Sequence, residues 1–200
     1  MTGAISIATV VEGEGEVAAL PILLRRIAHD LSVWNIRIPA PLRVPRSKLV
    51  APGGVEKAVL QASYRVDGLG GILLLIDADD DCPATTGPAL LERARQARGD
   101  REISMVLANR EFEAWFLAAA SSLAGHRGLA DPLEAPTDPE GPRDAKGWLS
   151  TRKIDGTSYR PTVDQAALTT QFDMAQARKN APSFDKFWRD VERLIRGASR

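Results

Sequence analysis

Acidic side chains follow two apolar segments at the point where each segment ends. Glu12 comes directly after the run Ile5–Val11, and Asp77 and Asp79 follow the run Gly70–Ile76. Asp77 and Asp79 alternate, so on an extended backbone their carboxylates point the same way. Three carboxylates held close together repel and raise one another's pKa unless a cation is present. Because Mg²⁺ and Mn²⁺ prefer oxygen ligands, the pattern predicts a site for one or two such ions.

The expected chemistry of this site acts on phosphate esters. A divalent ion bound to a phosphate polarises the phosphoryl group, positions an attacking water and neutralises the leaving oxygen. We therefore predict a metal-dependent phosphodiesterase or nuclease with Glu12, Asp77 and Asp79 as its catalytic residues.

The surrounding sequence predicts the elements that position these acids. Buried apolar runs alternate with segments of helical periodicity, which is typical of an α/β protein with a doubly wound parallel sheet flanked by helices. Ligands collect at the carboxyl ends of strands in such sheets, where both acidic groups lie. The predicted strands are Ile5–Val11, Trp34–Ile38, Gly70–Ile76 and Ile103–Ala108, and the predicted helices cover 17–27, 53–64, 90–97 and 111–123.

Proline-rich stretches and charge divide the chain further. Pro39–Pro52, with Arg43, Arg46 and Lys48, is predicted as an irregular basic loop. We predict an α/β core over 1–124, a proline-rich loop or linker over 125–142, and a basic helical extension over 143–200 packed on the core. Within the extension, Thr162 and Gln165 suggest a capping box, and Ser183 is expected to cap the last helix.

Composition favours a globular protein in the cytoplasm. Hydrophobic residues make up 44% and charged residues 26% of the 200 residues, which suffices for one core with an appendage. No apolar run approaches the roughly 18 residues that span a bilayer, and the first residues lack a basic start. The single cysteine, Cys82, has no cysteine partner for a disulfide or a zinc knuckle. We therefore expect no membrane association.

The charges are unevenly distributed. Residues 142–200 hold 12 Lys and Arg against 7 Asp and Glu, whereas residues 1–141 hold 14 against 19. A basic tail beside a metal-loaded acidic site could hold a nucleic-acid backbone, DNA or RNA. The candidate nucleic-acid-binding residues are Lys146, Arg152, Lys153, Arg160, Arg178 and Lys179.

Each acidic group also has a purely structural explanation. The run Asp77–Asp81 could be a solvated loop or a helix cap, and Asp80 and Asp81 are expected to cap a helix or to support the ligands. Glu16 could be an acid in the first helical turn, which the helix dipole favours. Glu111 could simply start its helix.

Nucleotide-binding alternatives are excluded by the motifs. Gly13 and Gly15 suggest a phosphate-cradling loop, but the neighbouring glutamates would repel phosphate. No G-x-x-x-x-G-K-[ST] motif occurs in the chain. The strand before Asp77 therefore cannot serve as the magnesium strand of a P-loop ATPase.

Two sets of motifs resemble a known family. Val11-Glu12-Gly13 with Glu16, followed by Asp77-x-Asp79 on an apolar strand, is similar to the Toprim fold of topoisomerases, primases and overcoming-lysogenization-defect nucleases. The segment 109–117 (NREFEAWFL) and the late Ser183-Phe184 resemble the bacterial Toprim-like family called domain of unknown function 4276. The similarity extends from Ile5 to Ile195.

This resemblance implies a metal-dependent nuclease-like domain, often associated with anti-phage defence and sometimes encoded beside an ATPase. It matches Glu12, Asp77 and Asp79 to the core acidic triad and Glu16 to a second metal-binding acid. Glu111 and Glu113 match a later acidic motif, which adds Glu113 to the predicted metal ligands.

The resemblance also has departures. Nuclease-like members often carry a lysine near the metals, for which Lys146 or Lys153 is the candidate. Neither Tyr64 nor Tyr159 lies in a recognisable topoisomerase cleavage context, so strand passage is not expected. The alternative function is a non-catalytic or latent Toprim-like binding subunit of an ATPase complex.

Overall fold

The structure, a computed structural model, describes residues 4–197. Within them the chain is an α/β protein with a five-stranded parallel sheet flanked by helices, which confirms the predicted fold class. The architecture is Rossmann-like. The strands are β1 (Ile5–Val11), β2 (Ile36–Arg37), β3 (Leu42–Arg43), β4 (Gly70–Asp77) and β5 (Glu102–Ala108).

Strand order places a topological switch at the centre of the sheet. β2 pairs with the start of β1 and β3 pairs with its end, while β4 pairs with the other edge of β1 and β5 with β4. The chain therefore builds outward in one direction from β1 and then in the other. In an open parallel sheet, such a reversal opens a crevice at the carboxyl ends of the two strands concerned, here β1 and β4.

One face of the sheet is covered by the first helix and the C-terminal helices. Ile7 and Val11 of β1 pack with Leu73 and Leu75 of β4 against apolar residues of the first and last helices. The helices on this side are α1 (Glu14–Asp30), α5 (Ala114–Ala118), α6 (Ala145–Thr151), α7 (Ala166–Gln171), α8 (Met174–Asn180) and α9 (Pro182–Gly197).

The other face packs on three helices from the middle of the chain. Alternate residues of the same strands, such as Val10 and Leu74, face these helices because successive strand side chains point to opposite faces. These helices are α2 (Arg46–Val50), α3 (Gly54–Ser63) and α4 (Pro83–Ala97).

The segment Pro39–Pro52 is more regular than an irregular loop, so that prediction was wrong. It contains β3 and α2. The prolines lie outside both elements: β3 follows Pro41, and Pro45 precedes the first residue of α2. A short edge strand tolerates neighbouring prolines because few of their backbone N–H groups would have to donate hydrogen bonds to the sheet.

Other helix boundaries also differ from the predicted ones. Pro21 lies inside α1, and α4 begins at Pro83, well before position 90. The predicted helix over 111–123 is split into α5 and a 3-10 turn, Ala120–Leu123. Instead of a capping box, Pro161–Gln165 forms a π-helical turn before α7.

The C-terminal region shares the main core with the sheet. Phe184, Phe187 and Val191 of α9 belong to the same buried cluster as Leu73 and Val106. The division of the chain at 124 and 142 stays a prediction. Among the described residues, no helix combines the length and the apolar character needed to cross a bilayer.

Candidate functional site

Glu12 lies at the switch point, one residue beyond the end of β1. Burial, followed by the nearby charges of Asp79 and Glu16, raises its pKa from 4.5 to about 7. A backbone hydrogen bond from Asp77 and the charge of Arg46 oppose the rise. The Oε2 atom of Glu12 is buried and has no hydrogen-bond partner within residues 4–197. Glu12 is therefore a carboxylate held among like charges with one oxygen unsatisfied.

Asp77 ends the adjacent strand β4 and is buried. Its Oδ1 atom accepts a hydrogen bond of 2.8 Å from the backbone N–H of Phe112. Burial, and then the charge of Glu113, raises the pKa of Asp77 well above its usual range, although Lys146 opposes the shift. Glu12 also contributes to the rise, so the structure brings the two strand-end acids into electrostatic contact.

The charge of Asp79 acts on Glu12, but strand alternation does not explain where the Asp79 side chain lies. β4 ends at Asp77, and Asp79 adopts a left-handed conformation with φ of 51°. The alternation rule applies only to an extended backbone, so it does not set the direction of this side chain. The Asp79 side chain is 60% exposed, and its Oδ2 atom lies 3.5 Å from Nε of Arg46.

Glu16 performs the capping role that its position allows. Its Oε2 atom accepts a hydrogen bond of 2.7 Å from the N–H of Gly13, and its Oε1 atom accepts one of 3.2 Å from Gln165. Glu16 also contributes to the raised pKa of Glu12 and of Asp77. The residue is therefore both a helix cap and a member of the acidic cluster.

Lys146 lies among the acids, where it forms the centre of a second cluster. Its Nζ atom is 2.9 Å from Glu111 Oε2, 3.2 Å from Glu113 Oε2 and 3.9 Å from Asp77 Oδ2. Burial alone would lower the pKa of Lys146, but Glu113, Asp77 and Glu111 together hold it above its usual range. The structure thus places Lys146 beside the acidic site, whereas Lys153 lies elsewhere.

Glu113 is fully buried between Lys146 and Tyr159. The phenol of Tyr159 donates a hydrogen bond of 2.9 Å to Glu113 Oε1. Burial raises the pKa of Glu113 despite the opposing effects of Lys146 and Tyr159. Burial and Glu113 raise the pKa of Tyr159 in turn. The Glu113 carboxylate is thus held inside the protein by both Tyr159 and Lys146.

Arginines that the sequence analysis did not assign to the site line its rim. Arg46 donates 3.1 Å to the backbone oxygen of Asp77 and also pairs with Asp81. Asp80 binds Arg110 at 2.9 Å and Arg143 at 2.7 Å. No local motif marks these arginines, because residues distant in sequence supply their partners.

The predicted nucleic-acid-binding residues are dispersed. Lys153 and Arg160 line one open cavity of about 320 Å³ together with Arg127. The Arg152 guanidinium stacks on Trp148, 3.7 Å from the ring centroid. Arg178 pairs with Asp185 at 3.0 Å, and it lines a different cavity together with Lys179. Lys146 belongs to the acidic cluster.

Glu12 has the chemistry of one ligand to a divalent cation. Carboxylate oxygens are hard ligands, and the unsatisfied buried Oε2 of Glu12 has the capacity to coordinate. Among the described residues, no group of three or more acidic, histidine or cysteine side chains converges closely enough to hold an ion. Lys146 supplies the positive charge on the Asp77 side.

The fold and the site together define an α/β protein with an acidic site at the switch point of a parallel sheet. The family model for "Domain of unknown function (DUF4276)" matches residues 11–192. The chain belongs to this family. The search of curated proteins and the search of solved structures each gave no match.

Proposed function

We propose that the protein is a divalent-metal-dependent phosphodiester hydrolase of Toprim type that acts on nucleic acid. The observation that carries the proposal is the position of Glu12 and Asp77 at the ends of two adjacent parallel strands. Both carboxylates have raised pKa values, and one oxygen of Glu12 is buried without a partner. Carboxylates whose pKa values are raised by burial at the switch point of a parallel sheet are typical of a functional site.

Glu12, Asp77 and Asp79 would hold Mg²⁺ or Mn²⁺, with Glu16 and Glu113 as additional acids. Because these side chains do not converge as a set of three in the described residues, they would have to move together around the ion. Such an ion would supply charge neutralisation and polarisation of the phosphoryl group. The raised pKa of Glu12 belongs to the metal-free protein, and a bound cation would hold this carboxylate in its ionised form. Lys146 fixes Asp77 and Glu113, and the exposed Arg143 at the rim can bind a phosphate oxygen.

The relation to Toprim nucleases is part of the proposal. Supporting it are the acids after β1 and β4, the position of Lys146 beside them, and the family membership. By the same resemblance, we propose a role in bacterial anti-phage defence with an ATPase partner.

Hydrolysis assays test the proposal. Purified protein is incubated with Mg²⁺ or Mn²⁺ and either DNA, RNA or bis(p-nitrophenyl) phosphate, a small diester. We expect hydrolysis that EDTA abolishes and that falls at least about 100-fold in Glu12→Gln and in Asp77→Asn. The control, Glu134→Gln, changes an exposed acid and is expected to be fully active. Equal activity in the wild type and both site variants would exclude this site.

A second candidate is a latent or non-catalytic subunit of an ATPase complex. The pairing of Lys146 with Asp77, Glu111 and Glu113 favours it, because the ammonium already neutralises part of the acidic cluster. This candidate predicts a protein that is inert alone. Co-purification with an ATPase encoded nearby, followed by the same assays, separates latency from a purely binding role.

A further inference from the structure

The segment between β2 and β4 forms a basic groove next to the acidic site. The groove has a volume of about 310 Å³, and its cationic side chains are Arg43, Lys48 and Lys57. Its remaining walls come from Val44, Pro45, Gly54, Ala58 and Gln61. No acidic side chain and no aromatic ring lines the groove within the described part of the chain.

The cations of this groove are available to a ligand. Lys48 and Lys57 are exposed, and neither ammonium has a partner among residues 4–197. Arg43 pairs with Glu14 at 3.0 Å, but both side chains are largely exposed. The one acid in the segment 39–61, Glu56, is bound by Arg93 at 2.8 Å and so does not neutralise the lysines.

The groove is a fixed feature of the fold. The N–H of Val44 donates 2.8 Å to the carbonyl oxygen of Val11, which joins the segment to the end of β1. A Cβ at Gly54 would collide with the carbonyl oxygen of Lys48, so the backbones of α2 and α3 pack together with no room for a side chain at this position. The walls that carry the two lysines are therefore held by backbone contacts.

Two arginines of the segment are tied to the acidic site. Arg43 contacts Glu14, two residues after Glu12, and Arg46 contacts the backbone of Asp77 and the side chain of Asp79. An anionic chain lying in the groove would thus pass from Lys48 and Lys57 toward the two strand ends.

We propose that this groove binds the phosphate backbone of the nucleic-acid substrate and delivers it to the acidic site. The proposal rests on the proposed function and names the surface that recognises its substrate. Lysines in a groove without aromatic rings offer charge to phosphates but no surface on which bases could stack, so we expect binding that is sensitive to salt and largely independent of sequence. The assignment places substrate binding on α2 and α3 rather than on the C-terminal tail.

Fluorescence anisotropy without added metal tests binding separately from chemistry. The probes are labelled DNA duplexes of about 20 base pairs in two unrelated sequences, titrated at several salt concentrations. We expect equal affinities for both sequences. Lys48→Glu with Lys57→Glu should weaken binding at least about tenfold, and Lys48→Gln with Lys57→Gln should reduce the salt slope by about 2.

The matched control is Arg25→Glu with Arg95→Glu, which makes the same change in charge at exposed positions of α1 and α4. It should bind as the wild type does. No binding by the wild type, unchanged binding by the groove variants, or an equal loss in the control would overturn the proposal. Hydrolysis of bis(p-nitrophenyl) phosphate should survive in the groove variants. If the wild type binds DNA through the groove but hydrolyses neither DNA nor bis(p-nitrophenyl) phosphate, the hydrolase assignment fails and the assignment of the groove as a nucleic-acid-binding surface holds.

Discussion

The ammonium of Lys146 lies 3.2 Å from Oε2 of Glu113, a carboxylate with no exposed surface. The same ammonium is within 4 Å of Asp77, so one cation compensates the acid that ends β4 and the acid that precedes α5. A charge buried without a partner is expensive, whereas a compensated one is tolerated. Lys146 therefore offsets the negative charge of Asp77 and Glu113 at this end of the sheet.

Replacing Lys146 with methionine should destabilise the protein. The substitution keeps an unbranched side chain one atom shorter but leaves Glu113 and Asp77 without their cation. We expect a loss of about 2–3 kcal/mol at pH 8 in urea denaturation, after allowing for the partial exposure of Lys146. Adding Glu113→Gln should recover part of the loss. Lys179→Met, at an exposed position, is the control, and an equal loss there would contradict the account.

Tyr159→Phe removes the hydrogen bond to Glu113 and little else. Because the phenol donates to a buried carboxylate, we expect the free energy of unfolding to fall by about 1.5–3 kcal/mol. Tyr64→Phe changes a tyrosine that is 83% exposed and should be neutral. Indistinguishable stabilities of the two variants would show that the Tyr159 contact contributes nothing.

The raised pKa of Glu12 predicts a pH dependence of stability. The unfolded chain releases this proton near pH 4.5, whereas the folded protein holds it until about pH 7. The folded state therefore binds more protons between these values, and its stability falls as pH rises through that window. Because Glu12 is partly exposed, we expect its share to be about 1–2 kcal/mol.

Denaturation in urea with EDTA, at about pH 5 and pH 8, measures this effect. The Glu12→Gln side chain has no titrating proton. Its free energy of unfolding should therefore fall by about 1–2 kcal/mol less than that of the wild type over that range. Glu134→Gln should behave as the wild type does. A Glu12→Gln variant with the full wild-type pH dependence would rule out a strained Glu12 carboxylate.

Strand-end acids could be predicted from sequence because the signal is local. A buried apolar run followed by Asp77, and another followed by Glu12, indicates two strands whose ends share an edge of a parallel sheet. Strand alternation did not account for Asp79, because β4 ends at Asp77 and the backbone then turns left-handed.

The cationic half of the site depends on tertiary packing. Lys146 lies on α6, which begins after Asp144, and the Asp144 side chain caps the helix by accepting 2.7 Å from the N–H of Gly147. This local pattern could have located the helix. It contains nothing to indicate that the helix would bring Lys146 against β4, because that depends on how α6 packs. The partners of Arg46, Arg110 and Arg143 were unpredictable for the same reason.

The most direct test of the central claim is a titration of metal-free protein with Mn²⁺, followed by electron paramagnetic resonance of the free ion. We predict at least one bound ion per chain, with affinity reduced at least about tenfold in Glu12→Gln and in Asp77→Asn and unchanged in Glu134→Gln. Absence of Mn²⁺ binding by the wild type, or equal affinity in all four proteins, would contradict a metal site at the ends of β1 and β4.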